Sequence, residues 1–229
     1  MSIFRLRTLA ASNFSGFLLA AAVFSQFFLL TLYMQQVLHY SALKTGVAYV
    51  TLTVSIVAFS TVSQALVTRV GIRRVLPIGM VLSAAGLVLY AQLPVHGHYF
   101  WDLFPAFLLS GIGLALAFVP MSIGALTGVQ QSEAGVASGL INTSQQIGGA
   151  IGVALATTIA ITFTGHYVHA HAGATALSGS ALNYGFQITF YVLAALAVAG
   201  AAAAALLTES KPSAAETVRV EEELVLEAA

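Results

Sequence analysis

The sequence predicts an all-α membrane protein whose six transmembrane helices form two inverted repeats of three helices. Hydrophobic residues make up 59% of its 229 residues and charged residues only 7%, whereas a soluble domain carries roughly 25% charged residues. The charges are also unevenly placed, because none occurs in residues 8–43 or in residues 134–208. The long apolar runs exceed the ~9–11 residues of a barrel strand and lack its alternating pattern, so we expect helices.

The apolar runs define six predicted helices in order along the chain. Each is close to or longer than the ~20 residues that cross a bilayer core. Short polar or turn-forming segments separate them, such as residues 40–44 and 94–98. We expect the helical bundle to occupy residues 1–209 and a mostly disordered cytoplasmic tail to occupy residues 210–229. The predicted helices lie at residues 8–33, 46–68, 75–93, 102–126, 142–164 and 185–207.

The basic residues predict how the bundle is oriented in the plasma (inner) membrane. Because cytoplasmic loops carry an excess of Lys and Arg, the side that holds more of them is expected to be cytoplasmic, together with both termini. Three helices are an odd number, so the second triplet enters from the opposite face, as often happens in secondary transporters. Lys44 lies alone on the outer side, and the inner side carries Arg5, Arg7, Arg69, Arg73, Arg74, Lys211 and Arg219.

The composition argues against several kinds of site. Without cysteine the chain has no disulfide framework, thiolate zinc site or cysteine nucleophile. A net charge of zero gives no reason to expect a nucleic-acid partner. His166, His169 and His171 share one predicted loop, but no carboxylate or cysteine accompanies them, and zinc needs about four ligands. We therefore expect no metal, no cofactor and no enzymatic activity.

No acidic residue lies in the interior of a predicted span. An ionised side chain at the bilayer centre costs at least ~2.5–3.5 kcal/mol, so buried acids usually indicate function. Asp102 instead lies at the outer mouth of the fourth helix, and Glu133 lies in the loop before the fifth. If the protein uses a proton gradient, the carboxylate that binds the proton is not in these six helices.

Neutral polar residues form a narrow stripe on each of the first two helices. At about 100° per residue, Gln26 and Tyr33 share one side of the first helix, and Thr53 and Gln64 share one side of the second. These groups either bond to neighbouring helices, for ~0.6 kcal/mol each, or line a water-filled cavity for an organic substrate. The sequence leaves both interpretations open. The cavity candidates are Gln26, Tyr33, Thr53 and Gln64, and their stripes also include Ser15, Ala22, Tyr49 and Ser60.

Closely spaced glycines mark the fifth helix as a packing element. Gly148, Gly149 and Gly152 lie within one and a half turns of one another. Small residues at such spacing let two helix backbones approach closely in a membrane. We expect these three glycines to pack against a neighbouring helix.

The segment between the second and third predicted helices resembles the cytoplasmic loop signature of the major facilitator superfamily. Leu66, Arg69, Gly71 and Arg73 match that signature, while Gln64, Thr68 and Ile72 stand where Gly, Asp and Arg are expected. The second copy of this loop in the superfamily is commonly degraded, so the departures agree with a C-terminal half. The resemblance implies a cytoplasmic gate loop formed by Arg69, Gly71 and Arg73.

Two further segments are similar to the C-terminal half of fourteen-span drug:proton antiporters in that superfamily. Residues 32–46 look like the end of the first helix of that half, and residues 133–150 look like the Gly-rich start of its penultimate helix. The resemblance implies proton-coupled efflux of drugs or other amphipathic compounds by alternating access. An exporter of sugars or metabolites and a non-transporting membrane subunit remain the alternatives.

The resemblance also implies partners. Besides the lipid bilayer and a small organic substrate, one half of such a transporter needs the other half, because the substrate cavity lies between them. We expect the missing N-terminal half of six or eight helices, or a second chain, to complete this one. The chain is then a fragment, a truncated product or a half-transporter.

Overall fold

The computed structural model describes residues 7–126 and 134–207, and all its regular elements there are helical. In these ranges six spans are long and apolar enough to cross a membrane, as predicted. Helices α2 and α3 together form the second span, and π-helical turns lie at Tyr33–Val37 and Tyr99–Leu103. The α-helices are α1 (Arg7–Leu32), α2 (Ala42–Ala48), α3 (Val50–Val70), α4 (Ile72–Ala91), α5 (Phe104–Leu126), α6 (Ala134–Ala170) and α7 (Gly179–Leu207).

The helix bounds differ most from the prediction at α6. Its 37 residues extend for about 55 Å at 1.5 Å per residue, whereas the prediction covered only residues 142–164. The added residues include Gly135, Gly139 and Gly165, and glycine is a weak helix former, so the sequence did not predict helix there. The predicted tail at residues 210–229 lies outside the described residues, as does the predicted loop residue Glu133.

The link between α3 and α4 is also tighter than predicted. The sequence suggested a loop over residues 69–74, but α3 continues to Val70 and α4 starts at Ile72. Only Gly71 interrupts the helical backbone, with φ 84° and ψ 159°. This region is accessible essentially to glycine alone. One glycine therefore suffices to reverse the chain.

The packing of the helices follows the predicted repeat. Helices α1, α5, α4 and α7 form the centre, in which α1 contacts α5 and α4 contacts α7. The second span of each triplet packs mainly on the first span of the other triplet, so that α3 lies on α5 and α6 lies on α1. The most apolar part of the α2–α3 span is only 22% buried and that of α6 only 33%, against 61% for the spans of α1 and α5. The two peripheral helices thus expose most of their surface.

The predicted packing glycines lie where α6 meets α1. A Cβ on Gly148 would overlap the carbonyl oxygen of Phe17, and one on Gly152 would overlap that of Ala21. A Cβ on Gly149 would overlap the ring of Phe24. The two helix backbones therefore approach too closely for any side chain at these positions.

Candidate functional site

The predicted cavity residue Gln26 lies in the middle of the bundle. Its side chain is 1% exposed and that of Ser110, on α5, is fully buried. Gln26 Nε2 donates to Ser110 Oγ at 2.9 Å, and Ser110 Oγ donates in turn to Gln26 Oε1 at 3.2 Å. These two hydrogen bonds link α1 to α5. A direct role of Gln26 in a substrate cavity stays a prediction.

The predicted cavity residue Tyr33 is also internal. It is 1% exposed, and its hydroxyl donates to the carbonyl oxygen of Pro94 at 2.6 Å, in the connection between α4 and α5. Phe24 and Phe28 lie on the roughly opposite side of α1 and are 42% and 38% exposed. The polar stripe of α1 therefore faces the interior of this bundle.

Thr53 and Gln64 lie in the opposite environment, on the exposed surface of α3. The Thr53 hydroxyl donates only to its own helix, to the carbonyl oxygen of Tyr49 at 3.2 Å. Tyr49 shares the stripe and reaches α1, since its hydroxyl donates to the carbonyl oxygen of Phe27 at 2.9 Å. The stripe therefore contacts α1 at Tyr49, whereas Thr53 and Gln64 are exposed. We call Tyr49, Thr53, Ser60 and Gln64 the α3 polar edge.

The opposite side of α3 differs in chemistry. Val62 lies about 160° around the helix from Gln64 and is 45% exposed, and this apolar side suits contact with lipid. Polar side chains exposed from a membrane bundle normally face protein or a water-filled cavity instead. The α3 polar edge is therefore a surface of this bundle where we expect contact with protein or water rather than with lipid.

The predicted gate residues lie together at one end of the bundle, which we call the Arg end and define by Arg69, Arg73 and Arg74. Arg69 ends α3, Gly71 forms the link, and Arg73 lies in the first turn of α4. Arg73 Nε donates to the carbonyl oxygen of Ala205 in α7 at 3.2 Å. A cation at the C-terminal end of a helix is favoured by the helix dipole. Arg73 thus links the third span of one triplet to the third span of the other.

The opposite end of the bundle, which we call the Trp101 end, holds Asp102. Its carboxylate accepts from the backbone N–H of His98 at 2.6 Å, and its own N–H donates to the His98 carbonyl at 3.0 Å. This reciprocal pair caps the fourth span. The sequence did not predict the role, although an acid in the first turn of a helix is its usual signal.

The three histidines predicted to share a loop do not form a metal-binding cluster. His166 and His169 lie on the last turns of α6, and His171 follows directly, with its Nδ1 2.9 Å from the Tyr167 carbonyl oxygen. Among the described residues, no three His, Cys, Asp or Glu side chains form a group that could hold a metal ion.

A pocket that the sequence did not predict lies between α1, α6 and α7. Its volume is about 330 Å³, and its lining is almost entirely apolar. Gln36 belongs to the segment 32–46 that resembles the antiporters, but the sequence did not predict that it lines a pocket. The lining residues are Phe28, Leu29, Leu32, Gln36, Thr157, Ala160, Ile161, Thr164, Gly165, Ala176, Leu182 and Phe186.

Comparison with known proteins identifies the family. The protein-family model described as Major Facilitator Superfamily matches residues 2–153, which is more than half of the chain. This chain belongs to that superfamily. The six spans and their inverted contact pattern agree with one half of such a protein. Membership of this transporter superfamily confirms the expectation that the protein is not an enzyme.

The relatives are named for drug resistance and export. A puromycin resistance protein of Streptomyces alboniger is 31% identical over 197 residues, which cover 85% of this chain and 39% of the relative. A multidrug resistance protein B homolog of Mycobacterium tuberculosis is 29% identical, over 77% of this chain and 32% of the relative. A cephamycin export protein of Amycolatopsis lactamdurans is 32% identical, over 69% and 32%. The chain thus spans a third to two fifths of the length of these relatives.

Proposed function

We propose that this chain is one half of a proton-coupled exporter of drugs or other amphipathic organic compounds. It works by alternating access in the plasma membrane, with the Arg end and both termini in the cytoplasm. The names of the relatives, which refer to resistance and export, support this substrate class. The excess of basic residues at the Arg end supports the orientation.

The observation that carries the proposal is the α3 polar edge. Thr53 and Gln64 are exposed from the bundle within a span of mean hydropathy 1.8. Neutral polar groups in such a position are expected to meet protein or water rather than lipid. The substrate cavity then lies between this edge and a further set of helices, either from the same protein or from a second chain.

Proton coupling requires an acid within the bilayer, and the described spans carry none away from their ends. In residues 1–132 the sequence contains a single acid, Asp102, and the structure uses its carboxylate to cap the fourth span at the Trp101 end. The other acids are Glu133 and those from Glu209 onward. The proton-binding carboxylate is therefore assigned to the complementary helices. Gln26 and Tyr33 contribute by hydrogen-bonding the first span to Ser110 and to the carbonyl oxygen of Pro94.

Cysteine accessibility tests the position of the cavity. The chain has no cysteine, so Gln64→Cys and Thr53→Cys each introduce a single reactive thiol. With the complementary helices supplied by the S. alboniger relative, both should react with a membrane-impermeant thiol reagent and be protected by transported drug. Val62→Cys is the matched control, because it lies on the same turn as Gln64 but about 160° away.

The outcome separates a cavity from a lipid-facing surface. Reaction at residues 53 and 64 but not at residue 62 supports the proposal. Equal reaction at residues 62 and 64, or no reaction at either cavity position, would show that the α3 polar edge does not line an aqueous cavity.

A further inference from the structure

The pocket between α1, α6 and α7 is separate from the α3 polar edge. It is lined by the last turns of the first span, by the second half of α6 and by the start of α7. None of its lining residues belongs to α3 or α5. We propose that this pocket binds one acyl chain of a membrane phospholipid, with the Gln36 amide hydrogen-bonded to the ester region of the same lipid.

The depth and direction of the pocket fit an acyl chain. It extends along α1 from Gln36 to Phe28, which is about 12 Å at 1.5 Å per residue. Gln36 lies one residue before the end of the first span, at the Trp101 end. Exposed aromatic residues commonly mark the membrane–water interface, and Trp101 is 79% and Phe100 61% exposed at that end. The pocket therefore runs from the interface into one leaflet, parallel to the lipid chains.

The chemistry of the lining excludes a charged occupant. It contains no ionisable side chain, and it includes the rings of Phe28 and Phe186 together with three leucines. The Thr157 hydroxyl donates to the carbonyl oxygen of Val153 at 2.7 Å within its own helix, so it is not free for a ligand. The volume of about 330 Å³ lies at the lower end of the ~300–1,000 Å³ of ligand pockets, which suits one chain rather than a whole lipid.

The polar end of the pocket is provided by Gln36. Its side chain is exposed, and it makes no hydrogen bond within the described part of the chain. A neutral amide at the depth of the interface can donate to an ester carbonyl oxygen. Gln36 thus supplies the one polar contact that a neutral lipid ester needs, while the apolar lining accepts the chain.

Photo-crosslinking tests the proposal with the full chain in liposomes. The probe is phosphatidylglycerol that carries a diazirine on one acyl chain, and adducts are located by mass spectrometry of the peptides. We expect adducts on the lining residues of α6 and α7. Thr157→Phe places a ring in the pocket, so its adduct yield should fall at least about fivefold because little room remains for a chain.

Matched controls are available on both helices. Thr158→Phe changes the neighbouring residue, which is exposed, does not line the pocket and also donates only within its own helix. Gln35→Leu is the control for Gln36→Leu, since Gln35 is exposed outside the lining. Gly165→Leu is a second filling variant, because a Cβ there meets nothing within 4 Å and should not disturb folding.

Each outcome decides the proposal. Loss of adducts in Thr157→Phe or Gly165→Leu but not in Thr158→Phe, with a weaker yield in Gln36→Leu than in Gln35→Leu, supports an acyl-chain site. Equal yields in the residue 157 and 158 variants would show lipid on the outer surface only. Displacement of the probe by tetraphenylphosphonium would overturn the lipid assignment in favour of a transported cation. These readouts require no transport, so they stand apart from the proposed export.

Discussion

Gln26 and Gln64 are identical side chains that the fold places in opposite environments. Gln26 is buried and exchanges two hydrogen bonds with Ser110, whereas Gln64 is exposed on α3. Both occur in polar stripes of similar spacing, so the sequence could not separate an internal bond from a cavity position. The difference depends on which neighbour covers each side of a helix, and that is decided by tertiary packing rather than by periodicity.

Gln26→Leu should therefore lower stability rather than change substrate preference. Replacing it leaves the buried Ser110 hydroxyl without its partner, and interhelical bonds in membranes contribute ~0.6 kcal/mol on average and up to ~1.7 kcal/mol. A double-mutant cycle with Ser110→Ala, measured as the free energy of unfolding in mixed micelles, should give a coupling energy in this range. A cycle without coupling, combined with an altered drug profile in the complemented transporter, would assign Gln26 to the cavity instead.

Gly148→Ala and Gly139→Ala should change stability in opposite directions. A Cβ at residue 148 overlaps the Phe17 carbonyl oxygen, so α1 and α6 must separate, at a cost of about 1–3 kcal/mol. At residue 139 of the same helix a Cβ meets nothing within 4 Å, and Ala is favoured over Gly by roughly 0.5–1 kcal/mol in a helix. Thermal unfolding of the two purified variants measures whether each substitution raises or lowers the stability. A stabilised Gly148→Ala variant would contradict the close α1–α6 contact.

At the scale of elements, the existence of the helices was predictable and their limits were less so. Apolar length predicted every span, because the bilayer requires about 20 residues of helix. The extension of α6 beyond residues 142–164 was not predicted, since it contains glycines at its start and a glycine and histidines near its end, which are weak helix formers. The π-helical turns at Tyr33–Val37 and Tyr99–Leu103 leave no composition signal either.

The α3–α4 link depends on one residue. Gly71 adopts φ 84° and ψ 159°, and a side chain in this region costs about 1–3 kcal/mol. Gly71→Ala should therefore destabilise the bundle by this amount in a denaturant titration. Gly46→Ala in α2 is the control, because a Cβ there meets nothing within 4 Å. Equal stabilities of the two variants would contradict the strained link.

At the scale of the whole molecule, the bundle has two kinds of surface. Helices α3 and α6 occupy equivalent positions in the two triplets and are the least buried spans. The α3 polar edge exposes Thr53 and Gln64 on one of these spans. The matched relatives are two and a half to three times as long as the aligned segment. Both observations favour a bundle that functions beside another set of helices.

Transport by the purified chain in inside-out vesicles tests this central claim most directly. With an imposed pH gradient, the chain alone should accumulate no more of a fluorescent cationic dye than empty vesicles do, because we expect the complementary helices to close the cavity and to supply the coupling carboxylate. The same chain co-reconstituted with the complementary helices of the S. alboniger relative should accumulate the dye, and dissipating the gradient should abolish it. Gradient-dependent accumulation by the chain alone would contradict the assignment of this bundle as one half of an exporter.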